Sequence, residues 1–166
     1  LSNDVARAVA RQPDGQIVVA GQAYDGAKDA IAVARLTASG ALDTTFGAGG
    51  KVVTALGTTY DRAHAVAIQP DGKIVVAGVS NAGYPFAAAL VRYTADGALD
   101  ATFGTGGQVV TALTSSNNHF TALLLQPDGK IVAAGQGYVG SWSDFVLARY
   151  TADGTLDPTF GTEGKV

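Results

Sequence analysis

The feature that most constrains this chain is an internal repeat with a period of 57 residues. The tetrapeptide Gln-Pro-Asp-Gly begins at Gln12, Gln69 and Gln126, each time followed by an Ile-Val pair and a glycine. A second phrase, Leu-Asp-x-Thr-Phe-Gly, begins in the same register at Leu42, Leu99 and Leu156. Repeats of this length are typical of supersecondary units that bury their apolar faces only by stacking on one another. We therefore divide the chain into three units, residues 1–57, 58–114 and 115–166.

One unit contains four short apolar runs separated by turn phrases. In the first unit these runs are Val5 to Gln12, Ile17 to Gly21, Ile31 to Leu36 and Val52 to Leu56. The first two are joined by Pro-Asp-Gly, in which proline presets φ and glycine accepts the positive φ of a tight turn. The equivalent turns lie at Pro13 to Gly15, Pro70 to Gly72 and Pro127 to Gly129. Helical periodicity is not sustained anywhere, so each unit is expected to be a four-stranded antiparallel sheet.

Sheets that are apolar on both faces and follow one another along the chain are typical of the blades of a β-propeller. The composition fits this fold, because 47% of the residues are hydrophobic and 22 are glycine, with no methionine. Small residues at Ala6, Ala8 and Ala10 suit the crowded strand nearest the axis, so we expect the first strand to be innermost. An alternative with three-fold symmetry is a single-chain β-trefoil or β-prism.

Ring closure requires more than three blades, since propellers typically have about four to eight. We therefore expect a homodimer in which two chains of three blades close a six-bladed ring. The third copy stops at Val166, so the outermost strand of that blade is expected to be cut short. In this arrangement Val5 to Ala10 of one chain packs beside the third blade of the other.

The two phrases together resemble the delta-60 repeat of bacterial proteins. The segments that carry the resemblance in the second unit run from Ala65 to Gly78 and from Leu90 to Gly107, and they recur in the other two units in the same order. The resemblance implies a β-propeller repeat of unknown biochemical role, found in exported bacterial proteins, and hence an extracellular or cell-surface location. It brings no catalytic residue with it.

Residues that repeat in every unit are expected to be structural. The Leu-Asp-x-Thr-Phe-Gly phrase lies between the third and fourth strands and is called the connector below. We expect a contact with a carboxylate or carbonyl that ties the connector to the sheet from Arg35, Arg92 and Arg149, and the nearest carboxylates in sequence are Asp43, Asp100 and Asp157. The repeated Phe46, Phe103 and Phe160 are interpreted as plugs that close the blade edge. The aspartates of the turns are single, whereas calcium requires about six or more oxygen ligands, so turn chemistry is preferred over a calcium site.

Binding residues are sought where the copies differ, because a scaffold requires uniformity and a binding surface does not. Aromatic residues occur in each variable loop between the second and third strands, and we take as candidate ligand-binding residues Tyr24, Tyr84, Phe86, Tyr138 and Trp142. Such residues suit a sugar ring or a protein partner, although they would also serve as lids over the blade edge. The inner strand also varies, and its candidate channel-lining residues are Arg7, His64 and Thr121.

We expect no catalytic residues, no metal and no cofactor. The two histidines, His64 and His119, fall at different positions of the repeat, the chain has no cysteine, and Glu163 is its single glutamate. Neither a catalytic triad nor a glutamate pair for acid-base chemistry can be assembled from these residues. An enzyme with a site in the central channel is the least favoured function.

Charge and hydropathy exclude further partners. A net charge of −3 with 11 Lys and Arg leaves no basic stripe for nucleic acid. No apolar run reaches the length of a membrane span, about 18 residues. The sequence therefore predicts a non-enzymatic module that associates with itself and presents its aromatic loops to a protein or glycan. The alternative is a purely structural segment that assembles only with copies of itself.

Overall fold

The computed structural model describes residues 4–57, 59–81 and 85–166, and each repeat forms its own antiparallel sheet. The first sheet contains β1 (Val5–Arg11), β2 (Ile17–Tyr24), β3 (Asp29–Leu36) and β4 (Lys51–Thr54) in that order. The second contains β5 (Asp61–Ile68), β6 (Ile74–Ser80), β7 (Ala87–Tyr93) and β8 (Gln108–Thr111), also in order. The third contains β9 (Asn118–Leu125), β10 (Ile131–Val139) and β11 (Trp142–Tyr150).

The third sheet has a shortened outermost strand, as the sequence analysis expects. It has three strands, and the fourth is represented by Lys165, which bridges Ala148, and by Val166, which exchanges backbone hydrogen bonds with Leu147. These pairs occupy the same repeat positions as Ala34 with Lys51 and Val33 with Val52 in the first sheet. The third repeat thus has the register of a complete blade.

The sheets stack face to face, with the second between the first and the third. One apolar cluster joins the first two sheets and includes Val18, Ile31, Ile74 and Tyr93. The other joins the second and third sheets and includes Val75, Leu90 and Ile131 among its buried residues. Because both faces of the second sheet are covered, every residue of β6 is buried. This stack is a set of propeller blades. The sheets of a β-trefoil or β-prism surround one common core, whereas here the second sheet is packed between two others, so that alternative is wrong.

The inner edge of the stack is formed by the first strand of each repeat. β1, β5 and β9 are edge strands, and β5 contacts both β1 and β9. β4 and β8 lie at the opposite edge of their sheets. The first strand is therefore the innermost one, as the small alanines of β1 predict.

The turns match the prediction closely. Gly15, Gly72 and Gly129 have φ values of 90°, 84° and 84°, in the left-handed region that glycine accepts and other residues avoid. In each turn the aspartate side chain accepts a hydrogen bond from the backbone N–H two residues later, as Asp14 does from Gln16 at 3.0 Å. The turn aspartates therefore act locally, and no group of three or more potential metal ligands is found among the described residues.

Some strand boundaries were predicted wrongly. The hairpin between the second and third strands is paired farther than expected, to Tyr24 opposite Asp29 in the first sheet and to Val139 opposite Trp142 in the third. β4 ends at Thr54 because the next residues turn away and the N–H of Leu56 donates to the carboxylate of Asp61 at 2.7 Å. The described residues form strands and turns and no helix. None of them therefore belongs to a helix that could span a membrane.

Candidate functional site

One end of the propeller carries the hairpins that join the second and third strands, and most of the predicted aromatic residues lie there. Tyr24 is 48% exposed at the end of β2, and Tyr138 is 39% exposed near the end of β10. They occupy the same position in their repeats, and each is fixed through its backbone N–H, which Tyr24 donates to Asp4 and Tyr138 to the carbonyl of Asn117. Both belong to strands, whereas the sequence placed them in loops. Tyr84 lies outside the described residues.

Trp142 is the most exposed large apolar side chain among the described residues, with 81% of its surface accessible. It begins β11 directly opposite Val139, which is 62% exposed, and together they form the tip of the β10–β11 hairpin. Gly140, with φ 64°, makes the turn between them. No ring contact between described residues includes Trp142, so its indole is not occupied by packing.

Phe86 has a different environment from the other candidates. Its ring packs on Tyr60 with centroids 5.3 Å apart, and its N–H donates to the side chain of Asn117 at 2.8 Å. The guanidinium of Arg62 lies over the other ring of this pair, 3.7 Å from the centroid of Tyr60. Phe86 is half-buried and helps to join two repeats, so packing accounts for it without a ligand.

The three predicted channel residues share an unusual backbone feature. The register of the inner strand shifts by one residue between Ala6 and Ala8 and between Ala63 and Ala65, and β9 has the equivalent irregularity. The extra residues at these β-bulges are Arg7, His64 and Thr121. A bulge re-aims one side chain without disturbing the rest of the strand, and bulges are frequent beside functional sites. The bulged position of the inner strand therefore carries a different residue in each repeat.

The glycine that follows each Ile-Val pair is explained by the bulge. A Cβ placed on Gly78 would lie 1.9 Å from the carbonyl oxygen of Arg62, and Gly21 and Gly135 would meet equivalent carbonyls at the same distance. No side chain fits at such a distance, so only glycine permits this close approach of two backbones. The repeated glycine and the variable bulge residue thus belong to one local structure.

The bulges bring together two histidines that the sequence did not place near each other. The ring centroids of His64 and His119 are 5.8 Å apart, with planes tilted by 51°. Burial lowers the pKa of His64 to about 4, helped by the charges of Arg7, His119 and Arg62. Burial also lowers the pKa of His119. The pair is therefore neutral at pH 7, and two histidines beside two arginines do not form a typical cation site.

Arg7 and Arg62 are held by a short polar network across the first two sheets. Arg7 donates from Nε and Nη2 to Oε1 of Gln22, at 3.1 and 3.0 Å. Gln22 in turn donates to Asp29, and Arg62 forms an ion pair with the same carboxylate at 2.8 Å. Thr121 is exposed, and its hydroxyl lies 3.5 Å from the carbonyl of Ala134. The ion pair between Arg62 and Asp29 links the first two sheets, whereas the bonds of Arg7 and Thr121 lie within their own sheets.

The repeated arginines form a clasp in every repeat, as predicted. In the second repeat, Nε of Arg92 donates to Asp100 at 2.8 Å, and its guanidinium lies 4.5 Å from the ring centroid of Phe103. The hydroxyl and N–H of Thr102 donate to the other carboxylate oxygen. Burial raises the pKa of Asp100, but the donors from Thr102, Lys73 and Arg92 outweigh it and hold that pKa well below its usual range. Permanently charged carboxylates of this kind do not serve as general acids.

Comparison with known proteins identifies the repeat. A family model described as "Domain of unknown function (DUF5122) beta-propeller" matches three times, at residues 12–46, 69–103 and 126–160. The matched segments begin at the Gln-Pro-Asp-Gly turn and end at the phenylalanine of the connector, so they contain both phrases of the repeat. A search of curated proteins finds no match.

Proposed function

We propose a function for this chain, which belongs to the DUF5122 β-propeller family. It is a non-enzymatic propeller module that presents aromatic residues at its hairpin end to a protein or glycan. The observation that carries this proposal is the 81% exposure of Trp142 at a hairpin tip, beside the 62% exposed Val139. An exposed indole with an apolar neighbour loses water when a sugar ring or a protein side chain packs on it, and tryptophan is prominent among binding hot spots.

The rigid scaffold below this hairpin supports the same interpretation. β10 and β11 are paired over their full length to Val139 and Trp142, so the tip is held by a continuous ladder. Binding residues on a rigid scaffold lose less conformational entropy when they meet a partner. Tyr138, one residue before the tip, adds a second aromatic side chain with a polar end.

The chemistry of the polar residues favours binding over catalysis. The carboxylates of the connectors are engaged by arginine and threonine, and the carboxylate of Asp61 accepts bonds from Leu56, Gly57 and Ser80. Burial lowers the pKa values of both neighbouring histidines, and the charges of Arg7 and Arg62 lower that of His64 further. These carboxylates are engaged by groups of their own chain and the histidines have lowered pKa values, which supports the proposal that the module is not an enzyme.

We also propose that the repeat is a delta-60 repeat and that the chain is an exported bacterial protein. The phrases from Ala65 to Gly78 and from Leu90 to Gly107 resemble the delta-60 repeat, and that resemblance supports a bacterial origin and export to the cell surface. Detection of the chain in the culture medium or the surface fraction of its native host tests this proposal, and recovery from the cytoplasm alone contradicts it.

The binding proposal is tested with the intrinsic fluorescence of Trp142, the single tryptophan of the chain. A glycan array and a pull-down from the native host first supply ligands, and titration of each is then followed by the emission of the indole. We expect the emission maximum to shift to the blue on binding and the W142A variant to lose binding measured by calorimetry.

A matched control is Leu99→Ala. Leu99 is 37% exposed and lies in the second repeat, away from the hairpin tip and from both end sheets, so this variant is expected to bind as the wild type does. Failure to find any ligand, or equal binding by W142A and the wild type, contradicts the proposal.

A further inference from the structure

The two end sheets each leave one apolar face uncovered, and these faces are complementary by repeat position. Between the first two sheets, Val18, Ala20, Ile31 and Val33 of one face pack with Ile74, Val76, Val91 and Tyr93 of the next. The outer face of the first sheet carries the equivalents of the second set, which are Ile17, Val19, Ala34 and Leu36. The outer face of the third sheet carries the equivalents of the first set, which are Val132, Ala134, Phe145 and Leu147. A third copy of the existing sheet-to-sheet interface would therefore cover both.

Backbone hydrogen bonds between sheets end at the same two surfaces. The N–H of Gly47 donates to the carbonyl of Asp96 at 2.8 Å, and the N–H of Gly104 donates to the carbonyl of Asp153 at 2.7 Å. The equivalent donor on the third sheet is Gly161, and the equivalent acceptor on the first sheet is the carbonyl of Ser39. Within the described residues, neither group makes a backbone hydrogen bond of this kind.

The arginine clasps repeat this pattern. Nη1 of Arg35 donates to the carbonyl of Ala95 in the next repeat, and Nη1 of Arg92 donates to the carbonyl of Ala152. Arg149 keeps the bonds of the clasp within its own repeat, to Asp157 and Thr159, but its Nη1 has no acceptor among the described residues. Its counterpart acceptor is the carbonyl of Ala38 in the first repeat.

The connector phenylalanines show the same open end. Phe46 and Phe103 are fully buried. A Cβ placed on Gly97 would lie 2.9 Å from the ring of Phe46, and a Cβ placed on Gly154 would lie 2.8 Å from the ring of Phe103. Phe160 is only partly buried. Gly40, the equivalent of those two glycines, has no atom within 4 Å of the position of its missing Cβ. A ring from another chain would fit over Gly40 as Phe46 fits over Gly97.

The sizes of two side chains that belong to the same sheet-to-sheet interface indicate that the two open faces fit each other. Ile31 of β3 and Ala63 of β5 both belong to the first cluster, and their repeat equivalents Ala88 of β7 and Phe120 of β9 both belong to the second. The large residue is on the third strand of a repeat in the first interface and on the first strand of the next repeat in the second, so each pair combines one large and one small side chain. The corresponding residues at the open ends are Phe145, which is 70% exposed, and Ala6. A shallow cavity of about 220 Å³ lies at Ala6 and is bordered by Val19 and Gly21.

We propose that the outer face of the first sheet binds the outer face of the third sheet of a second copy of this chain, with Phe145 packed against Ala6. In this contact Arg149 and Gly161 donate to the carbonyls of Ala38 and Ser39, and Phe160 covers Gly40. The occupant is a second copy because its surface reproduces, position by position, the interface that already joins the repeats. This assembly is independent of the hairpin tip at Trp142.

Two chains close the assembly. Each chain contributes three blades, and six is the only multiple of three within the range of about four to eight blades that propellers typically have. The two contacts of such a ring are identical and join different faces, so they leave no face open for further copies.

The test uses the alternation of large and small residues. Sedimentation equilibrium of the wild type is expected to give twice the chain mass of 16.7 kDa. The A6F variant places two phenylalanines against each other, and we expect its dimerisation Kd to rise by more than about 30-fold, the loss typical of a disrupted aromatic anchor. The double variant A6F/F145A reproduces the existing Ala88 and Phe120 pair and is expected to dimerise again.

Mixing provides the discriminating measurement. An equimolar mixture of A6F and F145A is expected to form heterodimers in which each of the two contacts pairs one phenylalanine with one alanine. A dimer that joins identical faces would be weakened by only one of the two single variants, so recovery on mixing two weakened variants identifies a contact between unlike faces. Circular dichroism and thermal melts check that A6F is folded, and F145R, altered at a side chain exposed in the single chain, serves as a second disruptive variant.

The proposal is overturned by several results. A wild type that sediments at 16.7 kDa at about 100 μM excludes a stable ring, and a species larger than two chains excludes closure by two. A dimer that survives both A6F and F145R uses another surface. A mixture that behaves as the sum of its separate components excludes contact between unlike faces.

Discussion

Replacing Phe103 by alanine tests how strongly the connector joins neighbouring blades. Phe103 is fully buried, packs over Gly154 of the next repeat and lies under the guanidinium of Arg92 at 4.5 Å. Truncation of a buried phenylalanine costs about 3–5 kcal/mol, the sum of lost transfer energy and the cavity left behind. For a chain of this size the melting temperature falls by roughly 2–4 °C per kcal/mol, so we expect a decrease of about 6–20 °C. Urea denaturation followed by circular dichroism gives the free energy of unfolding.

The chain offers matched controls for this measurement. Phe46 is equally buried and is expected to give the same loss, whereas Phe160 is partly exposed and its truncation is expected to cost roughly 1–2 kcal/mol. All three substitutions are made in the A6F variant, in which no second chain covers Phe160. A cost for F103A below about 1 kcal/mol, or equal costs at Phe103 and Phe160, would refute the argument that the plug acts between blades.

Three further predictions concern a turn, a buried hydroxyl pair and a histidine. Gly72 has φ 84°, so G72V is expected to destabilise the chain by about 1–3 kcal/mol, measured by thermal melting; an unchanged melt contradicts the strain. The Tyr93 hydroxyl donates to Thr54 at 2.8 Å across two sheets, so a double-mutant cycle of Y93F and T54V is expected to give a coupling of about 0.5–1.5 kcal/mol, and no coupling contradicts the bond. The pKa of His64 is lowered from 6.5 to about 4, so the unfolded chain binds this proton first and stability falls as the pH falls through that window. The H64Q variant is expected to flatten this dependence in urea midpoints between pH 7 and pH 4, and an unchanged slope contradicts it.

The strands and turns could be predicted from the sequence because the repeat shows each of them three times. A Pro-Asp-Gly turn between two apolar runs has few structural solutions, and the positive φ of Gly72 follows from it. The pairing of Arg92 with Asp100 was predicted for the same reason, since a charged pair repeated at fixed spacing performs a structural task. Local chemistry determines these features.

The bulge and the histidine pair could not be predicted, because they depend on register between strands. An alternating run such as Ala63, His64 and Ala65 contains no sign that its middle residue is an extra one. The available signal is Gly78, a glycine inside a buried strand, which indicates either a bulge or a close backbone approach. His64, the extra residue of the bulge, lies beside His119, with the ring centroids 5.8 Å apart.

The aromatic candidates show a similar limit. Tyr24 and Trp142 were placed in loops because glycines and polar residues surround them, yet ladder pairing extends to both. Phe86 and Trp142 could not be distinguished as candidates from sequence, although one is packed on Tyr60 and the other is exposed. That difference arises from the neighbouring repeat and not from the loop itself.

Amide hydrogen exchange measures whether each blade is stabilised by the sheets that cover its faces. In the monomeric A6F variant we expect β6 (Ile74–Ser80) and β7 (Ala87–Tyr93), which are covered on both sides, to exchange most slowly. In the wild type we expect β3 (Asp29–Leu36) and β11 (Trp142–Tyr150) to become similarly protected, because the second chain covers them. Exchange of β6 and β7 as fast as that of β8, or protection of β11 that A6F leaves unchanged, would contradict this account.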